Sequence, residues 1–506
     1  TTKMDQIKQV MTVPRPKAIL LMTIAMALHF GGFEFVRSGM TALFTSNDVG
    51  FSNTGAFSLA MGMVSPFSIL LLMGYGTIIQ QKGPRAALKQ TTLFSAVALG
   101  GSAIALQVLR NAMTATTSAT YPLHIASQAI VAFAFVYQNA YAHLLYTQQW
   151  SFLSSVMSPN EGSVWFAAIA GVSSIFSTLT GAMVKPIVNG VGLIGLVACT
   201  SLTLILSMFA GDQAYKLSEE HGFDPAAAIR KKQKEKEKKQ QQQSQTQDNN
   251  KEDSSSKSLV WKAKDLFQRV PTLGFLFGEV LTFQALSVIL NLAMITQLKN
   301  TIPGDAARAA WLGSFFSATN AFSGFLQFVV IPSTMKRIEP AAIWRFMPLM
   351  PFACSLFQSF QGMSPSLWIL ALSFFATKTM DYSIRGVVNE MVYQPLDFDS
   401  RYLGKEIIGV FGSRFGKSGV SLILSGMTYL FPAFGIYHLS KLSVMASAGW
   451  LSTCLALSKL VPKKAEAQES FLKQQQQNNS QEETSSDEET SSASAAELKE
   501  EVKKEQ

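Results

Sequence analysis

Long apolar runs broken by short polar segments dominate this chain. Ala56–Tyr75, Leu93–Leu109 and Gly192–Ala210 come close to the length of one membrane crossing, about 20 residues. The runs are continuous rather than alternating, so the pattern predicts helices and not the strands of a barrel. Twelve segments can be placed: 17–42, 57–80, 88–109, 122–147, 163–184, 190–210, 271–296, 308–332, 341–361, 366–386, 405–430 and 433–458. They divide six and six around a long polar connection, the layout of large transporters built from two repeated halves. The predicted fold class is an all-α membrane protein with twelve transmembrane helices in two six-helix halves.

Polar composition sets the boundaries. Residues 1–16 form an N-terminal flank, 17–210 the first half, 211–270 a basic and Gln-rich linker, 271–460 the second half, and 461–506 an acidic, polar tail. The linker carries Arg230-Lys231-Lys232 and a Gln run, without apolar periodicity, and is expected to be disordered. Only 15% of the chain is charged, against about 25% in soluble domains. Short-loop cations orient the bundle. Lys8, Arg15, Lys17, Lys82, Arg85, Lys89, Lys336, Arg337 and Arg401 lie with the linker, and the opposite loops hold chiefly Arg110, Lys185, Lys299 and Arg308. Both termini are therefore expected on the cytosolic side or its equivalent. The chain begins Thr1-Thr2-Lys3, which suggests a removed leader; what remains shows no signal peptide. The loop after the second span (Gln81 to Arg85) and its counterpart after the eighth (332–340) resemble the basic loop of major-facilitator transporters, so the fold is expected to be major-facilitator-like.

Candidate chemistry is sparse. Cys199, Cys354 and Cys454 lie in apolar segments, and neither they nor the five histidines show metal-ligand spacing, so no cofactor is expected. Gly416-Lys417-Ser418 imitates the end of a phosphate-binding loop, but that motif needs a glycine at 411, where Phe411 stands. No nucleophile–base pair or soluble catalytic domain is recognisable, and an enzyme is not expected. The informative stretch is Lys378 to Ile423, where Lys378, Arg385, Arg401, Lys405, Arg414 and Lys417 alternate with Gly404, Gly409, Gly412, Gly416 and Gly419. Cations at membrane depth are costly and usually functional.

That stretch resembles the nucleotide transporters of plastids and intracellular bacteria, the ATP/ADP translocase family, which is unrelated to the mitochondrial carriers. The family's EMAYIPLD, GKAAID and GSRLGKSGGSLI runs are matched by Glu390-Met391, Tyr393, Pro395-Leu396-Asp397, Gly404-Lys405, Gly412-Ser413-Arg414, Gly416-Lys417-Ser418-Gly419 and Ser421-Leu422-Ile423. Weaker traces are Arg37 at the RDTKD position of the first helix, Glu161 to Ala167 beside EAKRFY, and Asn291-Leu292 with Thr296 beside NLVEVT. The resemblance implies a twelve-helix major-facilitator-like bundle with alternating access that moves ATP, ADP or other purine nucleotides. It also implies a lysine in the first helix, acids in the fourth and seventh, and a lysine at the start of the eleventh. Here Met40, Gln138 and Met294 align with the first three, and only Lys405 keeps its charge. Altered substrate, altered coupling or loss of transport would each follow from that pattern.

For a phosphate-bearing substrate the candidate contacts are Lys405, Arg37, Lys378, Arg385, Arg414 and Lys417, since Arg binds phosphate with a planar fork and Lys as a point charge. Residues 405, 409, 412, 416 and 419 fall on one helical stripe. Lys405 is therefore expected to face the cavity, with Arg414 and Lys417 on the other side, there either structural, snorkelling, or in contact with substrate. Arg37 follows Glu34 by three residues, and Arg385 follows Asp381 by four, so each is open to an intrahelical pair or a phosphate contact. Gln138, Asn291, Tyr382, Phe33 and Phe35 are available to a base. Glu34, Glu279, Asp381 and Glu390 are the candidates for proton coupling, and with the family's acids replaced, weakly coupled movement is expected. Expected partners are a nucleotide and the lipid bilayer, not nucleic acid, and the protein is expected to be a monomer. The plastid envelope or a related organelle membrane is the expected location, ahead of a bacterial inner membrane. The alternatives are a carrier of another phosphorylated or anionic metabolite, and a non-transporting membrane scaffold.

Overall fold

In the computed structural model, the described residues are 14–115, 120–157, 159–221, 266–393, 396, 404–405, 407–431, 433–461, 463 and 466. Linker residues 222–265, tail residues 467–506, and Lys8 and Arg401 lie outside them. Among the described residues all regular structure is helical.

The first half is built from four continuous helices: α1 (Pro14–Phe44), α2 (Thr54–Ala115), α3 (Thr120–Val156) and α4 (Pro159–Glu220). Two of these are double-length. α2 breaks at Gly83 (φ 82°) and α4 at Gly192 (φ 75°), a backbone region that glycine enters without the penalty of a Cβ. Each break joins two membrane-length rods, so the half contains the six expected spans. The helix that carries the sixth span runs on past residue 210 to Glu220. The reason lies in its polar extension: Arg85 donates to Asp212 (2.8 Å) and Glu219 (2.7 Å), which ties that turn to the loop after the second span.

The second half is more broken. α5 (Pro271–Thr301) opens with a proline in its first turn, where no helical N–H is lost. α6 (Asp305–Phe325) continues through a π-helical stretch, Leu326–Val330, into α7 (Ile331–Arg337). The ninth span comprises α8 (Pro340–Phe346) and α9 (Leu349–Phe360). α10 (Leu367–Met380) runs through the π-helical stretch Asp381–Arg385 into α11 (Gly386–Tyr393). A third such stretch, Ile408–Phe415, leads into α12 (Gly416–Leu430), and α13 (Ile436–Leu457) ends the bundle. Wide turns of this type are frequent at functional sites, and among the described residues all three belong to this half. Exposed Leu, Phe and Ile side chains such as Leu70, Phe94, Ile104 and Leu202 ring the outside, as the lipid-facing surface of a multi-pass membrane protein requires.

Two seams hold the halves together. In the first, α4 meets α6 where backbone touches backbone: a Cβ at Gly313 would lie 2.7 Å from the Gly181 carbonyl. Ser317 donates to the Thr178 carbonyl nearby (2.7 Å). In the second, α2 meets α12, with Ser65 bonded to the Arg414 carbonyl (2.8 Å) and to the Ser418 hydroxyl (2.6 Å), and Ser425 to the Gly55 carbonyl (3.0 Å). On the side away from the linker, Lys299 donates to the Phe51 (2.9 Å) and Ser52 (3.2 Å) carbonyls, and Arg308 to that of Thr45 (3.2 Å). These contacts close the far side.

Candidate functional site

Below that closure the two halves enclose a cavity of about 520 Å³. Its lining comes from single faces of several helices. α1 supplies Phe30, Phe33, Glu34 and Arg37; α3 supplies Asn139, His143, Tyr146 and Trp150. α4 gives Ser173, Ser174 and Ser177, and α6 with its continuation gives Asn320, Ser323 and Gln327. Each set falls at i, i+3, i+4 or i+7 positions or neighbours them, the repeat that puts side chains on one helix face. Tyr382 and Lys417 complete the wall from the tenth and eleventh spans. These residues fall near the middle of their spans, the depth at which transporter substrate sites lie.

The two sides of the cavity differ in chemistry. The first-half side is aromatic: Phe30 meets Tyr146 edge-on (5.8 Å), Tyr146 meets Trp150 (6.0 Å), and His143 stacks beside Tyr146 (6.3 Å). The opposite side, built from the second half together with Arg37 of α1, is cationic. Lys417 lines the cavity, and the charges of Lys378, Asp381 and Arg37 act on it. Lys378 sits 3.4 Å from Asp381 and 5.4 Å from the Tyr382 ring. Arg37 pairs with Glu34, and its guanidinium lies over Phe316, 3.4 Å from the ring centroid. Glu34 also accepts a hydrogen bond from Asn320 (2.9 Å), so this pair ties α1 to α6.

The expected site residues thus separate into groups. Arg37, Glu34, Tyr382 and Lys417 border the cavity, with Lys378 and Asp381 beside them. For both intrahelical pairs left open by sequence, Glu34–Arg37 and Asp381–Arg385, the ion pair is formed. Arg385 belongs to a buried cluster apart from the lining. It holds Glu279 with two bonds of 2.8 and 3.0 Å, and the Trp450 indole N–H donates to the same carboxylate (2.8 Å).

Lys405 lies outside this cavity. Its ammonium is 2.6 Å from Glu390, and the two side chains are 54% and 57% exposed. The expected stripe is not kept. Gly404, Gly412 and Gly416 press against Leu273, Val280 and Leu281 of α5, whereas Gly409 and Gly419 face open space. The π-helical stretch 408–415 widens the turn and shifts the register counted from Lys405, bringing Lys417 round to the lining. Arg414 is not a lining residue, although its charge acts on His143, which is one. Asn291 is half-buried outside the lining, and Gln138 is buried with its side-chain oxygen unpartnered. Met40 and Met294 are fully buried in one continuous apolar core, where a charge would need a partner.

Sequence reasoning missed His143, Tyr146, Trp150, Asn320 and the three serines of α4. A signal existed: Asn139, His143, Tyr146 and Trp150 recur at intervals of four, three and four along an apolar span. Polar and amphipathic residues repeating on one face of such a span mark an inward-looking surface.

Known proteins share both the fold and the signature. Residues 318–459 match the family model TLC ATP/ADP transporter. The chain is similar to ADP,ATP carrier protein 1 of Chlamydia trachomatis, 26% identical over 209 residues, covering 37% of this chain and 40% of that one. It is also similar to ADP,ATP carrier protein 1 of Rickettsia conorii, 46% identical over 59 residues, 12% of each chain. The matched region thus spans well under two thirds of these curated relatives. Among solved structures, a D-xylose-proton symporter superposes with a TM-score of 0.56 at 12% identity, over 88% of this chain and 98% of that one. A bacterial homologue of the iron transporter ferroportin in an inward-facing state gives 0.54 at 13% identity, with the same coverage. At such identities these two show the fold alone, which is major-facilitator-like. The family match covers the spans that carry Asn320, Tyr382 and Lys417, so this part of the chain is similar to the TLC ATP/ADP transporters at low identity.

Proposed function

We propose that this protein moves nucleotides across a membrane by alternating access between its two halves. The observation that carries the reading is the mid-depth cavity with an aromatic wall facing cations. A base stacks on aromatic faces, and phosphates are recognised by Lys and Arg. With the far side closed by Lys299 and Arg308, the conformation described faces the linker side. Its counterpart would break those bonds and open the seams at Gly313 and Ser425.

Coupling to protons is weak in this reading. It would need a carboxylate that exchanges partners between states, and Glu34, Glu279, Asp381 and Glu390 are all ion-paired here. The residues that align with the family's other charges are Met40, Gln138 and Met294, all buried. The relatives named above are bacterial, and they lend no support to the plastid envelope as the location.

Proteoliposomes preloaded with nucleotide and supplied with labelled nucleotide outside test the proposal. Uptake that needs internal nucleotide and changes little with a proton gradient is expected. No uptake of any nucleotide by folded protein overturns the function, and strict dependence on the gradient overturns the weak coupling.

A further inference from the structure

The charges around the cavity do not contribute equally. Arg37 is matched by Glu34. Lys378 and Arg385 share Asp381, and Arg385 also holds Glu279, so these two cations and two carboxylates form a closed neutral set. Lys417 is different. It lines the cavity, and among the described residues it has no carboxylate within ion-pair distance. The one acid whose charge acts on it, Asp381, is already engaged by Lys378 and Arg385. The lining therefore offers a substrate one uncompensated positive charge. Two further cations, Arg37 and Lys378, become available only by displacing an internal carboxylate.

We infer that this cavity selects nucleotides of low charge, those carrying at most two negative charges, with Lys417 as the primary phosphate contact and Asp381 and Glu34 as the residues that set the limit. The inference rests on the nucleotide reading above and narrows it. A nucleoside monophosphate carries about two negative charges at neutral pH, because its second ionisation falls near pH 6. A pyrophosphate-bridged dinucleotide carries about the same, and each further terminal phosphoryl group adds roughly one more. In a site at membrane depth a surplus phosphate charge is poorly screened and stands close to two fixed carboxylates. Asp381 and Glu34 then act as internal anions that occupy the places a second and third phosphate would take. This also gives a role to the pairs Glu34–Arg37 and Lys378–Asp381: they hold their cations at the cavity edge while cancelling them.

The test is equilibrium binding to the full chain in lipid nanodiscs, without Mg²⁺, using AMP, NAD, ADP and ATP as probes. AMP and NAD are expected to bind tighter than ATP, with affinity falling about tenfold per surplus charge. Lys417→Met should weaken all four at least about tenfold, with Lys417→Arg restoring binding, since a cation and not a shape is needed. Asp381→Asn should move the optimum by one charge, so that ADP overtakes AMP. Because Asp381 also anchors Arg385, Glu34→Gln serves as an independent variant with the same expected shift. ATP binding tightest to the wild type, in an order unchanged by either variant, overturns the inference and leaves the nucleotide reading standing. Absence of binding by all four probes to well-folded protein overturns both.

Discussion

The buried cluster around Glu279 makes the sharpest stability prediction. Glu279 is fully buried and accepts three hydrogen bonds, two from Arg385 (2.8 and 3.0 Å) and one from the Trp450 indole (2.8 Å). Arg385 also bonds Asp381 (3.1 Å) and lies over Phe283, 4.0 Å from the ring centroid. The five residues of this cluster, Glu279, Phe283, Asp381, Arg385 and Trp450, come from three spans, the seventh, tenth and twelfth. Glu279→Ala would leave a buried guanidinium with one carboxylate and orphan the indole N–H. Breaking a buried pair costs about 3–5 kcal/mol, and the lost indole bond adds about 1 kcal/mol. With an unfolding entropy of about 2 cal/mol/K per residue, a chain with several hundred ordered residues loses roughly 1 °C per kcal/mol. The melting temperature should therefore fall by about 4–6 °C. Purified protein in one detergent, scanned at one rate, gives the comparison, because unfolding of such proteins is irreversible. The paired variant Glu279→Met with Arg385→Met should lose clearly less than the sum of its singles, because neither partner is then left alone. A Glu279→Ala protein that melts with the wild type, or singles that simply add, would refute the view that this pair holds the half together.

Three further outcomes follow from the geometry. Trp150→Ala and Tyr146→Ala should each weaken nucleotide binding about tenfold, since stacking on one aromatic is worth about 1–3 kcal/mol per base; equal affinity in both variants would remove the aromatic wall from the site. Lys299→Met removes the donor that closes the far side over Phe51 and Ser52. In a background lacking Cys199, Cys354 and Cys454, a Ser52→Cys reporter should label several-fold faster with it, and an unchanged rate would show that Lys299 does not act as a latch. Gly313→Val puts a side chain 2.5 Å from Val184 Cβ. This overpacking costs about 1–3 kcal/mol and should raise labelling of the same reporter, whereas slower labelling would mean that the seam is not part of the closure.

The fold was legible because membrane crossing imposes a length and an apolar composition that survive in any sequence, and twelve such segments are visible. What sequence left out was register. Lys405 shares a 3.6-residue stripe with four glycines on paper, but the π-helical turn at 408–415 breaks that count. No local residue pattern announces such a turn. The pairs Glu34–Arg37 and Asp381–Arg385 were visible from spacing alone. Their outside partners were not: Asn320 reaches Glu34, and Glu279 reaches Arg385, across 286 and 106 residues of chain. Long-range partners of buried charges are fixed by helix packing, which periodicity does not encode. The aromatic wall was readable from the repeat of Asn139, His143, Tyr146 and Trp150, but only by asking which face of an apolar helix carries polar edges.

On the proposed transport function, the uncompensated lysine has a consequence for the cycle. In the conformation described, Lys417 lines the cavity and its side chain is half-buried, so the ammonium is not fully enclosed. Passing to the other state requires the halves to close around the cavity first. Closing on an empty site would strip water from a cation that has no counter-ion, a penalty of several kcal/mol. A bound anion removes that penalty, so the loaded carrier closes more readily than the empty one. A ligand shifts a conformational equilibrium only by its differential affinity for the two states, and here the difference comes from desolvation of a single charge. The expected behaviour is therefore exchange: labelled nucleotide should leave proteoliposomes quickly only when unlabelled nucleotide is supplied outside. Lys417→Met lifts the penalty on the empty carrier. It should bind nucleotide poorly and yet lose most of the dependence on external nucleotide, so that its slow efflux looks nearly the same with and without exchange partner. If the variant instead keeps the wild-type ratio between exchange and net efflux, the charge of Lys417 does not govern the return of the empty carrier, and the obligation to exchange must come from contacts elsewhere in the bundle.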